Sequence, residues 1–384
     1  MASTRSQIGS EKLTGAQGSR RRAGDGGITG HLFKIVRERI PCTQRGLAEL
    51  LDVDPATVQG WESGRRSLAA VPSAQFLRIR RHLLRHGGEP ALLILLDVAL
   101  EADSVIAHGL AAGTGTADEF RSHPLSGWVC TRTAVHMIAW ALTGVVPKAV
   151  PAAPATTPCR RGPSPTSPAL SAPERRRLFD HLRRYAEIAD RAGADGALLR
   201  RQALYLCSYD SAPDTCAWLA DMRRRRPLRM RDTVWTPAWA DVRSLATSLT
   251  RYGDMEVLHA FIERGMGNDS GEIANLNYWA YWLGLDRVLR PDDSFMADRA
   301  PVWDASALLR SLADRLDPGL GCVDLNIHSV WALIAARPDA LAAHPGLVAE
   351  LRHRVERLLD SGTGSRQSRC ELDAVQYGLR LSHP

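Results

Sequence analysis

The stretch 43–66, TQRGLAELLDVDPATVQGWESGRR, constrains the fold of this chain more than any other segment. Its first half carries alanine and leucine side chains at helical spacing, and its second half places Val58 and Trp61 one helical turn apart. This periodicity predicts two short helices that share one apolar core. The apolar stripe of the first helix is predicted to consist of Leu47, Ala48, Leu50 and Leu51.

The residues between these two helices favour a tight turn. Asp52 tolerates a left-handed backbone better than most residues do, Asp54 is a good N-cap, and Pro55 suits the first helical position. Such a pair is typical of a helix-turn-helix whose second helix enters a DNA groove. The side chains expected on or near the outward side of that helix are Ala56, Thr57, Gln59 and Gly60.

The same stretch resembles the helix-turn-helix of the Cro/C1-type, or Xre, family of transcriptional regulators. The matching pieces are TQ at 43–44, LAELL at 47–51 and WESG at 61–64. The resemblance spans roughly residues 28–87 and implies a five-helix, lambda-repressor-like domain that binds double-stranded DNA as a homodimer. It also implies that Arg37 pairs with Glu62, the glutamate of the W-E-x-G element, and clamps the first helix onto the third.

The chain departs from the family pattern at several positions. The family usually has glycine in the turn, where this chain has Asp52. Residues Pro55, Ala56 and Gly60 stand where long polar side chains commonly read bases. These departures affect which side chains would read the sequence of the DNA, not how the helix would dock.

The expected contacts divide between phosphates and bases. Gln44 matches a family residue that bonds phosphate, and Thr43 caps its helix. Gln59 could pair with adenine, and Arg65 and Arg66 are expected to bind phosphates, a solvated loop being the alternative. The residues predicted to bind DNA are Thr43, Gln44, Asp54, Pro55, Ala56, Thr57, Gln59, Gly60, Arg65 and Arg66; those predicted to be structural are Arg37, Trp61 and Glu62.

Charge and composition agree with this interpretation. The formal net charge is +7, and residues 1–89 account for all of it, so the remainder of the chain is balanced. A basic end on a neutral body suits phosphate contact by one domain. The preference for arginine over lysine is typical of a high-GC genome, such as that of an actinobacterium.

The chain divides into five parts, and the near absence of alternating β-branched residues predicts an all-α fold. Seven prolines in 148–173 predict a semi-extended linker. The C-terminal part is predicted to be a tetratricopeptide-like solenoid or an irregular bundle, two alternatives that the sequence leaves open. The parts are a disordered basic arm (1–27), the DNA-binding domain (28–89), connecting helices with a dimerisation role (90–147), the linker (148–173) and a helical sensor or interaction domain (174–384).

Two features of the C-terminal part admit a functional or a structural interpretation. Tyr278, Trp279, Tyr281 and Trp282 could line a ligand pocket, but a packed core is the favoured reading. The run Arg223–Arg226, with Arg229 and Arg231, could be a second nucleic-acid surface, but a solvated face is favoured.

The sequence contains no catalytic motif, and its seven cysteines lack metal-site spacing. We therefore expect no enzyme activity, no metal and no cofactor. No apolar run is long enough for a membrane span or a secretory signal, so a cytoplasmic location is expected. The favoured function is a sequence-specific transcriptional regulator whose C-terminal domain responds to a small molecule, peptide or protein; the alternative is an interaction scaffold that has lost specific DNA binding.

Overall fold

A computed structural model describes residues 26–111, 119–152, 167–225, 235–342 and 345–381. Within these ranges the chain is all-α and contains no strand. The N-terminal helices are α1 (Gly27–Arg39), α2 (Gln44–Leu51), α3 (Pro55–Glu62), α4 (Ser73–Arg85), α5 (Pro90–Leu110) and α6 (Arg132–Thr143). They are followed by α7 (Ala172–Arg191), α8 (Ala197–Cys207), α9 (Thr215–Arg225), α10 (Pro237–Leu249), α11 (Glu256–Gly265), α12 (Asp269–Trp282), α13 (Ala305–Ala313), α14 (Val323–Ala336), α15 (Asp339–Ala342), α16 (Pro345–Ser361) and α17 (Arg366–Leu381).

Helices α2 and α3 begin and end where their capping residues require. The Thr43 hydroxyl accepts a hydrogen bond from the Gly46 N–H at 3.0 Å and starts α2. Asp52 ends α2 in the left-handed region, with φ 53° and ψ 53°. The Asp54 carboxylate then accepts the Ala56 N–H at 2.7 Å and starts α3.

The apolar stripe of α2 is narrower than predicted, and that of α4 is similarly narrow. In α2, Leu47, Ala48 and Leu51 are buried, but Leu50 is 36% exposed. In α4, Ile79 and Leu83 are buried, whereas Leu77 and Leu84 are exposed. The reason is helical geometry, because only one side of each short helix faces the neighbouring helices.

Helix α1 approaches α3 very closely. A Cβ atom built on Gly30 would lie 2.1 Å from the Trp61 carbonyl oxygen, which is far inside van der Waals contact. The Phe33 ring meets the Trp61 indole edge-on, with the ring centroids 5.9 Å apart. A glycine is therefore required where the two helix backbones meet.

Helix α5 joins the N-terminal helices to the rest of the chain. It runs from Pro90 to Leu110 and packs on α1, α6 and α7. The His31 ring of α1 lies edge-on to the Trp140 indole of α6, with the centroids 5.2 Å apart. The core is thus continuous from α1 to α7 and does not stop at residue 89.

The described ends of the proline-rich segment pack on the protein. Val150 is buried, Arg39 donates a hydrogen bond to the Pro151 carbonyl, and the Leu170 N–H donates to the Ala141 carbonyl at 2.8 Å. The sequence predicts a semi-extended linker here, and the described residues at its two ends pack on neighbouring helices. The middle of the predicted linker, 153–166, lies outside the described residues, as do most of the predicted basic arm and the end of the arginine run.

The helices after α7 pack both with sequence neighbours and across the chain. Helices α7 and α8 are adjacent, as are α16 and α17, while α8 also packs on α10 and α14 on α17. No described helix has the length and apolar character needed to cross a membrane.

Candidate nucleic-acid interface

Helix α3 has one buried and one exposed side. Val58 and Trp61 lie in the core, while Ala56 and Gln59 on the opposite side are exposed. This division leaves the first turn of α3 accessible to a partner. The exposed residues in and just before α3 are Asp54, Pro55, Ala56 and Gln59.

The sequence predicts Gly60 on or near the outward side of α3, and in the structure it is buried there because Arg66 folds back over it. A Cβ atom at Gly60 would come within 2.9 Å of the Arg66 Cδ atom, and Gly60 itself is buried. The Arg66 guanidinium then donates to the Thr57 hydroxyl at 2.7 Å. The absence of a side chain at Gly60 thus places a cation on the exposed side of α3.

Arginine side chains flank α3 without acidic partners. Arg65 is exposed and donates to the Ser63 hydroxyl at 3.1 Å. Among the residues that the structure describes, no carboxylate forms an ion pair with Arg65, Arg66 or the exposed Arg45 at the start of α2. These guanidinium groups therefore keep donors available for an anionic partner.

Glu62 holds the three N-terminal helices together. Its side chain is only 4% exposed and accepts two hydrogen bonds from the Arg37 guanidinium, one of them at 3.0 Å. The Gln44 amide also donates to Glu62, at 2.7 Å. The Gln44 amide is therefore engaged within the protein. The expected contact with phosphate would require this side chain to point outward.

The aromatic residues of α12 lie in the core. Tyr278, Trp279, Tyr281 and Trp282 are all less than 9% exposed. The Trp279 indole N–H donates to the Ser329 hydroxyl at 2.9 Å, so its polar atom is satisfied. This arrangement matches the favoured interpretation, although Trp282 also borders a cavity.

The described part of the arginine run is solvated. Arg224 and Arg225 lie at the end of α9 and pair with Asp221 at 3.3 and 2.8 Å. Surface pairs of this kind contribute little to stability. Arg226, Arg229 and Arg231 lie outside the described residues.

Three histidines from distant parts of the sequence meet beside α7. One side-chain atom of each of His108, His123 and His181 lies within 4.8 Å of the others. Burial lowers the pKa of His123 to about 3 and that of His181 to about 4, so both rings are neutral at pH 7. Sequence spacing gives no hint of this cluster, because α5 and α7 bring the rings together only in the fold.

Hydrogen bonds within and around the cluster engage three of its ring nitrogens. The Leu125 N–H donates to His123 Nδ1 at 3.1 Å, which leaves the proton of the neutral ring on Nε2. That nitrogen lies 3.2 Å from His181 Nε2 and donates to it. His123 and His181 therefore form a hydrogen-bonded pair of neutral imidazoles, with the His108 ring beside them.

Comparisons with protein families, with curated proteins and with solved structures gave no match to this chain.

Proposed function

We propose that this protein is a sequence-specific DNA-binding regulator that places α3 in the major groove of duplex DNA. The observation that carries the proposal is the exposed first turn of α3, flanked by Arg65 and Arg66, which have no acidic partners among the described residues. A capped helix with small exposed side chains can approach base edges closely. The flanking cations can bind the phosphates on either side of the groove.

In this proposal the helices α1–α5 form a lambda-repressor-like unit, which acts as a homodimer on two half-sites about one helical turn apart. The resemblance of residues 43–66 to the Xre family supports this arrangement. Ala56 and Thr57 supply methyl groups for thymine, and Gln59 reads a base edge. Thr43 and the first N–H groups of α2, including that of Gln44, contact phosphate, since the Gln44 amide is occupied by Glu62.

The helices from α7 onward serve as the regulatory part, either as a solenoid-like array or as an irregular bundle. The direct packing of α7 on α5 supports a regulatory role, because a change in one part can reach the other through a continuous core.

DNA affinity measured as a function of salt tests the proposal. The full chain is titrated by fluorescence anisotropy against a DNA sequence selected from a random pool, and against the random pool itself. We expect the selected sequence to bind at least a hundredfold more tightly. The double variant Arg65→Ala/Arg66→Ala should weaken both affinities and reduce the slope of log K against log salt by about 2.

Matched variants separate phosphate contacts from base reading. Gln59→Ala should reduce the preference for the selected sequence with little change in the salt slope. Thr57→Ala also removes the hydroxyl that holds Arg66, so it should change both quantities. Arg310→Ala, at an exposed position on α13 far along the chain, should change neither quantity.

The alternative function is a protein-interaction scaffold, and the absence of long polar side chains at Pro55, Ala56 and Gly60 favours it. Equal affinities for the selected and the random DNA would support the scaffold and refute the regulator.

A further inference from the structure

A large cavity lies between the N-terminal and C-terminal helices. Its volume is about 960 Å³, and its walls come from α6, α8, α12 and the ends of α10 and α13. Volumes of this size are typical of sites for small organic ligands. The segment Val145–Lys148 forms part of the rim.

Basic side chains from four different parts of the fold converge on this cavity. The cations in its lining are Arg132, Lys148, Arg251 and Arg315. The one carboxylate in the lining, Asp314, pairs with Arg354 at 2.9 Å. Over the part of the chain that the structure describes, none of the four cations has an ion-pair partner, so the cavity carries a concentrated positive charge.

Neutral groups, not acids, hold two of these cations in place. The Arg251 guanidinium donates to the Tyr205 hydroxyl at 3.0 Å and lies 3.9 Å from the centroid of the Tyr209 ring. The Arg315 guanidinium lies 4.8 Å from the Trp279 ring centroid. Aromatic faces and hydroxyls orient a guanidinium without neutralising its charge.

His136 lies on the wall of the cavity, and burial and these cations lower its pKa. Burial, together with the charges of Arg132, Arg251 and Arg315, lowers the pKa of His136 to about 4. Burial and the neighbouring Arg315 also lower the pKa of Arg132. Like charges that face one another across a partly enclosed space destabilise the protein unless an anion lies between them.

We propose that this cavity binds a small organic polyanion, one that carries two or more phosphate or carboxylate groups. Arg132, Lys148, Arg251 and Arg315 would each supply charge-assisted donors to it. The site is distinct from the face of α3, and ligand binding here does not depend on the proposed DNA-binding function. If that function holds, the polyanion is the effector.

The test uses the purified full chain without DNA. Thermal unfolding is followed with pyrophosphate, ATP and citrate as probes, and with potassium chloride at equal ionic strength and uncharged adenosine as controls. We expect at least one polyanion to raise Tm by several degrees at millimolar concentration, while the two controls do not. Comparing the Tm shift caused by pyrophosphate and ATP with that caused by citrate distinguishes recognition of phosphate from recognition of carboxylate.

Variants locate the binding. Arg132→Gln and Lys148→Gln, alone and together, should raise Tm in the absence of any probe, because they relieve repulsion between the cations. The double variant should also bind the polyanion that raised Tm at least tenfold more weakly, as measured by isothermal titration calorimetry. Arg310→Gln, and Arg65→Ala/Arg66→Ala on the proposed DNA face, should leave that affinity within twofold of the original. The proposal is overturned if no polyanion exceeds potassium chloride, or if Arg132→Gln/Lys148→Gln binds the probe as the original protein does.

Discussion

Asp103 of α5 accepts two hydrogen bonds from Thr29 of α1, from the backbone N–H at 2.9 Å and from the hydroxyl at 2.6 Å. The Ile28 N–H donates to the other carboxylate oxygen at 2.9 Å. A carboxylate from a distant helix therefore caps the first turn of α1, where Gly26 offers no side chain to do so. This contact fixes α1, the helix that carries Arg37, to α5.

Replacing Asp103 by alanine should lower the free energy of unfolding by about 2–4 kcal/mol, because it leaves buried donors without an acceptor. Urea denaturation of the two proteins measures the difference. Asp97→Ala is the matched control on the same helix, since Asp97 is 55% exposed and pairs with Arg80 at the surface; it should cost less than about 1 kcal/mol. An equal cost for the two variants would contradict this account of Asp103.

The Arg37–Glu62 pair should show strong coupling. Arg37→Met and Glu62→Gln each leave a buried polar group without its partner, and each should cost about 3–5 kcal/mol. In the double variant the second substitution should cost far less than it does alone. A double-mutant cycle by urea denaturation measures the coupling, and simple additivity would show that the two side chains act independently.

Asp52→Gly should stabilise the protein by about 0.5–1 kcal/mol. Asp52 is the one non-glycine residue in the described ranges with a positive φ, and glycine adopts that conformation without steric cost. Thermal unfolding of the variant is compared with that of Asp54→Ala, which loses an N-cap and should be destabilised by about 1 kcal/mol. A lower Tm for Asp52→Gly would mean that the carboxylate has a stabilising role that the turn geometry does not reveal.

Acid should destabilise the protein through the histidine cluster. The folded protein resists protonation of His123 and His181, whose pKa values burial lowers to about 3 and about 4, while the unfolded chain takes up protons near pH 6.5. Stability should therefore decrease as the pH falls from 6.5 towards 4. Replacing His181 by phenylalanine should flatten this part of the profile of Tm against pH, and an unchanged profile would exclude the cluster as its source.

His328 should act in the opposite direction. Burial alone would lower its pKa, but hydrogen bonds to Glu272 at 2.8 Å and to Glu371 at 2.7 Å raise it to about 9. Its charged form therefore contributes stability that is fully present below pH 6.5 and is lost as the pH rises through 9. His328→Gln should be less stable than the original protein at pH 6 and should approach it near pH 10; a constant difference over that range would argue against a charged His328.

Local patterns predict the structure well where the cause is local. The caps of α2 and α3 follow from side chains within a few residues, so the sequence is sufficient for them. The burial of Gly60 depends on the path of Arg66 after the helix, and the engagement of Gln44 depends on Glu62, eighteen residues later. The hydrophobic periodicity of the sequence predicts neither the contact between Gly60 and Arg66 nor the one between Gln44 and Glu62.

Features assembled by tertiary packing have no counterpart in the sequence pattern. The three clustered histidines come from α5, α7 and the segment between α5 and α6, and the cationic cavity draws on residues between 132 and 322. The proline count of 148–173 predicts a semi-extended linker, but it cannot show that Val150 and Leu170 pack on helices that precede them.

The rim segment Val146–Lys148 also borders a groove beside Ile35 and Arg39 of α1. These three residues therefore line both the cationic cavity and a groove beside α1, the helix that packs on α3. If the proposed binding of DNA and of an anion holds, thermodynamic reciprocity requires that the factor by which the anion changes the affinity for DNA equals the factor by which DNA changes the affinity for the anion. Titrating either partner in the presence of the other would yield the same coupling free energy from both directions.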